Sequence, residues 1–176
     1  MARALDKCEY CRMIGYHCKE RRCGIEYAKY AIMVQALIDF INQPIDARVN
    51  VDNANVGIVR NAVRELRLMR RSGSLFAFII DRVVPYADRL MDKSEYCNAV
   101  NAVNCDVEYM KYVIMYYAIT DFINQPIDMR IYVDGFVGDS DVIKVASREL
   151  RTLKRMGGLL RFIRDRVAPF ILVSRD

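Results

Sequence analysis

The chain has 176 residues, 53% of them hydrophobic, and a formal charge of +5. That apolar share suffices to bury a core, so a disordered or low-complexity chain is excluded. The mild positive charge permits an anionic partner without demanding one. Arginine outnumbers lysine, 20 to 7, beside a single His and no Trp, a bias that points to a thermophilic source.

From the N-terminus, MARALDKCEYC lacks the apolar stretch of a signal peptide. The most apolar run, YVIMYYAIT from Tyr112, is too short to span a bilayer. A soluble, intracellular protein, in the cytoplasm or within a virion, is expected. Cys8, Cys11, Cys18 and Cys23 then crowd together with His17. Such spacing suits either a tetrahedral zinc site or two disulfides.

Next comes Glu26–Asn42, apolar at helical spacing through Tyr27, Tyr30, Ala31, Val34, Leu37, Ile38 and Ile41. Gln43-Pro44 stops this helix. Over the following eight residues the period falls to two, with Ile45, Ala47, Val49 and Val51 alternating with Asp46, Arg48, Asn50 and Asp52. That pattern predicts a short strand. A polar turn offers Asn53 or Asn55 as N-cap, a second helix runs to Arg71, Gly73 breaks it, and a third helix ends at Pro85.

The same order then recurs. DFINQPID stands at Asp39–Asp46 and again, unchanged, at Asp121–Asp128. CGIEYAKYAIM from Cys23 answers CDVEYMKYVIM from Cys105, RELRLMRR answers RELRTLKR, and DRVVPY answers DRVAPF. The second copy has its own helix over Glu108–Asn124 and a strand pattern of Ile127, Met129, Ile131 and Val133 against Asp128, Arg130, Tyr132 and Asp134. Asp139 or Ser140 is its cap, and Gly157 and Pro169 are its breaks. The expected fold is mainly α with a short β-ribbon: two helix-strand-helix-helix repeats, 1–90 with the Cys-rich segment and 91–176, packed as one globular unit about a pseudo-twofold axis. The lone strands, Ala47–Val51 and Met129–Val133, would pair antiparallel with each other.

The two copies bear on the cysteines. Cys11 and Cys23 correspond to Cys97 and Cys105, whereas Cys8 is answered by Ser94 and Cys18 by nothing. Cysteines kept or lost in pairs behave as bridges, giving Cys8–Cys18, Cys11–Cys23 and Cys97–Cys105. Intracellular bridges fit a hyperthermophile. Zinc on Cys8, Cys11, Cys18 and Cys23 is the alternative, with free thiols after it.

The strongest functional pattern lies on the second helix of each copy. Arg60, Arg64, Arg67 and Arg71 share one face, and Lys144, Arg148, Arg151 and Arg155 repeat that spacing. Val59, Ala62, Val63 and Leu66 would be buried opposite, as would Ile143, Ala146 and Leu150. A stripe along a helix of ~24 Å meets several phosphates of a duplex. The competing reading is a solvated face neutralised by Glu65, Glu149, Asp81 and Asp165.

A strand, a helix, a glycine turn and a helix, paired through a two-stranded ribbon, resembles the ribbon-helix-helix family of DNA-binding proteins over about 40 residues of each copy. The resemblance implies that Arg48, Asn50, Arg130 and Tyr132 read base edges, and that Ser72–Ser74 and Met156–Gly158 meet phosphate. Tyr27, Tyr30, Tyr109 and Tyr112 are expected to pack in the core with their hydroxyls at the surface. Asp39, Asp46 and Asp52 are read as caps, turns and salt bridges before metal ligands. No P-loop, nucleophile elbow, HExxH or dinucleotide fingerprint occurs in the sequence.

These features lead to a non-enzymatic protein without a cofactor, binding duplex DNA through sequence-independent phosphate contacts. It would serve in packaging (a nucleocapsid role) or as a regulator, in a thermophilic archaeon or its virus. The alternative is a structural or assembly protein that binds only protein subunits.

Overall fold

The computed structural model describes residues 2–45, 56–126 and 140–173. In chain order the elements are β1 (Arg3–Ala4), α1 (Lys7–Ile14), α2 (Arg21–Ile41), α3 (Val56–Ser72), α4 (Leu75–Phe78), α5 (Lys93–Ala99), α6 (Asp106–Ile123), α7 (Ser140–Arg155), α8 (Leu159–Phe162) and β2 (Ile171–Leu172). The protein is thus mainly helical, with one small antiparallel sheet among the described residues. The expected ribbon over 45–52 and 127–134 lies outside the described residues, apart from Ile45, which is not in a strand. The N-cap candidates Asn53, Asn55 and Asp139 also fall outside them, and Ser140 opens α7. No helix among the described residues is long and apolar enough to cross a membrane.

The chain forms two compact units. One joins Met1–Phe40 to Asn124–Val173, and the other is Ile41–Ile123. These boundaries do not follow a division at residues 90 and 91. Each unit combines the leading part of one sequence copy with the trailing part of the other.

Helices α1 and α5, absent from the sequence reading, each begin with a capping box. The Asp6 carboxylate accepts from the Glu9 N–H at 2.9 Å, and Asp92 accepts from Glu95 at 2.8 Å. The runs D-K-C-E and D-K-S-E are the signal for both. Helix α2 starts at Arg21, earlier than the apolar periodicity indicated.

The expected third helices are not single α-helices. Each starts as one α turn, widens to π over Ile79–Val83 or Ile163–Val167, then tightens to 3-10 over Val84–Tyr86 or Ala168–Phe170. Proline causes this: Pro85 and Pro169 lack an N–H, and their rings would collide with the carbonyl four residues back. The wider winding is seen in the Val84 N–H bonding to the Ile79 carbonyl, and Ala168 to Ile163.

Tyrosines use the carbonyls left open at these ends. In the first unit Tyr10 stacks on Tyr30 with centroids 4.1 Å apart, and Phe170 meets Tyr10 edge-on. In the second Tyr96 stacks on Tyr112 at 4.2 Å, with Tyr86 edge-on. The core packing expected of these tyrosines is found, but their hydroxyls do not lie free at the surface. Tyr10 donates to the Arg166 carbonyl (2.8 Å), Tyr30 to Phe170 (2.6 Å), Tyr96 to Arg82 (3.0 Å) and Tyr112 to Tyr86 (2.7 Å). Tyr27 and Tyr109 donate to the Leu5 and Met91 carbonyls. A buried hydroxyl without a partner would be costly, so the carbonyls dictate where the rings sit. Burial also pushes these phenols up, Tyr30 to about 12.

All six cysteines stand in pairs at disulfide distance: Cys8–Cys18, Cys11–Cys23 and Cys97–Cys105, with Cα separations of 4.9, 5.7 and 5.9 Å. Paired sulfurs offer no thiolate to zinc, so the alternative reading of Cys8, Cys11, Cys18 and Cys23 has no support in this geometry. The sheet among the described residues pairs β1 with β2, Arg3 opposite Leu172 and Ala4 opposite Ile171.

Candidate nucleic-acid interface

Helix α3 buries Ala62, Val63 and Leu66, and α7 buries Ala146 and Leu150. Val59 and Ile143, expected in the core, are only half-buried. The opposite faces carry Arg60, Arg64, Arg67 and Arg71 on α3, and Lys144, Arg148, Arg151 and Arg155 on α7, all exposed. A shallow open groove of about 650 Å³ runs beside the first set, with Val59 and Val63 contributing apolar lining. A second, of about 510 Å³, runs beside the α7 set with Ile143 and Ser147.

Among the described residues none of these eight cations forms a salt bridge. Among those residues Arg64 reaches the Asn61 side chain at 3.5 Å, and Arg155 the Thr152 hydroxyl at 3.3 Å. Three of the expected neutralisers, Glu65, Glu149 and Asp165, bind other cations. Glu65 accepts from the buried ammonium of Lys111 at 2.9 Å. Glu149 accepts two bonds from Arg22, each 2.7 Å, and one from Lys29 at 2.9 Å. The Arg22 hydrogen bonds above all, aided by Lys29, hold the Glu149 carboxyl below the usual carboxylate range. Asp165 accepts from its neighbour Arg164 at 3.0 Å.

The two buried lysines were not singled out as structural centres by sequence reasoning. Lys29 also pairs with Glu26 one turn away, at 2.9 Å, and sits over the Phe162 ring. Lys111 pairs with Glu108 and sits over Phe78. The signal was E-Y-x-K-Y in both copies, where Glu and Lys fall one turn apart on an otherwise apolar helix.

The remaining basic residues of α3 and α7 have a structural task. Arg70 donates to the Gln43 carbonyl at 2.9 Å and Lys154 to the Gln125 carbonyl at 3.0 Å. These carbonyls precede Pro44 and Pro126 in DFINQPID, so one task of that motif is to end a helix against a basic side chain. The turn residues fit phosphate contact less well than the resemblance implies. The Ser72 and Ser74 hydroxyls turn back to the Met69 carbonyl at 3.1 and 3.5 Å. Gly73 and Gly157 take the left-handed conformation, at φ 85° and 77°, that lets the chain leave the helix. Met156 is exposed beside Gly157. Arg48, Asn50, Arg130 and Tyr132 lie outside the described residues. Asp39 accepts from Gln35, and His17 Nδ1 accepts from the Lys19 N–H.

No family model matches this chain, and no curated protein or solved structure is significantly similar to it.

Proposed function

We propose that the protein binds duplex DNA, without catalysis, through the basic faces of α3 and α7. One observation carries the reading: eight exposed cations at helical spacing keep no carboxylate partner among the described residues, while the carboxylates beside them in sequence turn away to buried lysines. Like charges one turn apart weaken a helix, so leaving them uncompensated makes sense where an external anion completes the face. From residue 60 to 71 the stripe runs ~16 Å, and a duplex presents one phosphate charge per ~1.7 Å of axis. Backbone contact of this kind is independent of sequence and suits packaging, as in a nucleocapsid, or the non-specific component of a regulator.

The matched tyrosine stacks and buried lysines support reading the chain as an internal duplication, so that both stripes do the same work. A thermophilic archaeal or viral source and an intracellular setting belong to the same proposal. The second reading, a protein subunit as partner, draws on the apolar lining that Val59 and Val63 give the α3 groove.

The test is Arg60→Gln/Arg64→Gln/Arg67→Gln. Glutamine keeps the helix, so the fold should persist. Affinity for duplex DNA should fall whatever its sequence, and the slope of log affinity against log salt should become shallower by about one unit per lost contact. The matching change at Lys144, Arg148 and Arg151 should act alike. Unaltered affinity in both variants, or none in the parent at low salt, would transfer the proposal to protein assembly.

A further inference from the structure

The grooves beside the two stripes hold matching cations over floors that differ. Position for position, Arg60, Arg64, Arg67 and Arg71 are answered by Lys144, Arg148, Arg151 and Arg155, and Val59 by Ile143. Val63, however, is answered by Ser147, so a methyl-lined place in the α3 groove becomes a hydroxyl in the α7 groove. Ser147 is only 7% exposed, as Val63 is, and among the described residues its hydroxyl makes no hydrogen bond. A serine inside a helix ordinarily returns its hydroxyl to the carbonyl one turn back, or turns it out to water. Thr120 and Thr152 do the first, on the Tyr116 and Arg148 carbonyls at 2.9 and 3.0 Å. Ser147 does not bond back, and burial keeps it from bulk water.

The side chains beside Ser147 define what would complete it. Lys144 and Arg151 stand one turn to either side on the same face, and Arg148 follows directly. Among the described residues no carboxylate lines this groove. Ammonium and guanidinium groups only donate, so the O–H finds no acceptor among them. The partner it lacks is an acceptor, and the cations favour one that is an anion. We propose that Ser147 anchors one phosphate of the bound duplex: its O–H donates to a non-bridging phosphate oxygen while Lys144 and Arg151 hold the charge from either side. The α7 groove is then a discrete phosphodiester site, whereas the α3 groove, with Val63 in that place, contributes charge without an anchor. This rests on the reading of the stripes as DNA-binding faces and adds to it a hydrogen bond from an uncharged donor. Its signature differs from that of an arginine, because losing it weakens binding without changing the number of counterions released.

The experiment compares the parent with Ser147→Ala and Ser147→Val, the latter copying the residue of the α3 groove, on a short labelled duplex by fluorescence anisotropy across a salt series. Both variants should bind roughly tenfold more weakly at each salt concentration, as suits a lost hydrogen bond to a charged group. The slope of log affinity against log salt should stay as in the parent. Free Ser147→Ala should lose no stability in urea, since alanine favours the helix and the hydroxyl holds nothing within the fold. Duplex affinity equal to the parent's in both variants would overturn the inference and leave the reading of the stripes standing. If inorganic phosphate still shifts the Ser147 and Arg148 amide signals in NMR, the groove is then a site for the free anion and not for the polymer. A shallower salt slope would assign the loss to displaced cations, a lower urea midpoint would assign it to the fold, and either would overturn the inference as well. No duplex binding by the parent at low salt would remove both the inference and the reading beneath it.

Discussion

Replacing Lys29 by methionine removes one charge from a buried cluster and little else, since methionine keeps most of the aliphatic stem that packs under Phe162. In the parent, Arg22 and Lys29 balance Glu26 and Glu149. The side chains of Lys29 and Glu26 are each 7% exposed and that of Glu149 is 29% exposed. Without the ammonium, two carboxylates share Arg22 alone, and Glu26 has no route to water. Orphaning a fully buried charge costs about 3–5 kcal/mol, and the surviving Arg22 bonds reduce that to about 2–3 kcal/mol here. For a unit of this size the loss lowers the melting midpoint by roughly 10–20 °C. The counterpart Lys111→Met should cost only about 1 kcal/mol, because Glu65 and Glu108 are both partly exposed and can be hydrated once the lysine is gone. Adding Glu149→Gln to Lys29→Met should restore neutrality, with a coupling of about 1–2 kcal/mol in the double-mutant cycle. Urea unfolding followed by circular dichroism measures these losses without screening the ions, and native-state hydrogen exchange assigns each to its unit. The reasoning is refuted if Lys29→Met is as stable as the parent, or if both lysine variants lose the same amount.

Further outcomes follow from the buried tyrosine hydroxyls and the disulfides. Tyr30→Phe removes a hydroxyl that accepts from the Leu5 N–H at 2.8 Å and donates to the Phe170 carbonyl, so it should cost about 1–3 kcal/mol in urea unfolding. Burial raises the Tyr30 phenol to about 12, against about 10 in an unfolded chain, and the tyrosine contribution to stability should be intact below pH 10 and lost as pH rises through 12. The Tyr30 phenolate, followed as the absorbance difference between the parent and Tyr30→Phe, should appear together with loss of ellipticity; its appearance with the fold intact would contradict the buried hydrogen bonds. Unreduced protein should weigh six hydrogens less than the reduced chain, and Cys8→Ser/Cys18→Ser, which opens a loop with a sequence separation of 10, should cost about 2–3 kcal/mol in the same unfolding assay.

The sequence made some of this legible and not the rest, for physical reasons. Periodicity reports which face of a helix is buried, and on α3 and α7 it separated Ala62, Leu66, Ala146 and Leu150 from the basic stripe. It does not report what covers a face. Glu65 follows Arg64 directly and reads as one more polar-face residue, yet the turn of the helix carries it to Lys111. Comparison of the two copies paired the cysteines because bridged residues change together. The same comparison divides the chain into repeats over 1–90 and 91–176, but a repeat in sequence looks identical whether its halves pack on each other or on those of its twin. The π turns were hidden since Pro85 and Pro169 mark where an α-helix must fail, not how the chain winds into that point.

The sorting of charge on α3 and α7 also bears on which partner the proposed binding face would take. Adjacent residues there point to different tasks: Glu65 and Glu149 pair with buried lysines, while Arg64 and Arg148 face out. A second copy docking on the stripes would have to offer carboxylates. Several of the described ones are engaged within their own unit: Glu26, Glu65 and Glu149 with buried lysines, Glu95 with Arg89, and Asp106 with Lys93. On the proposed reading phosphate is therefore the better complement to the stripes than a second copy of the chain. Salt should weaken that binding steeply, through counterion release.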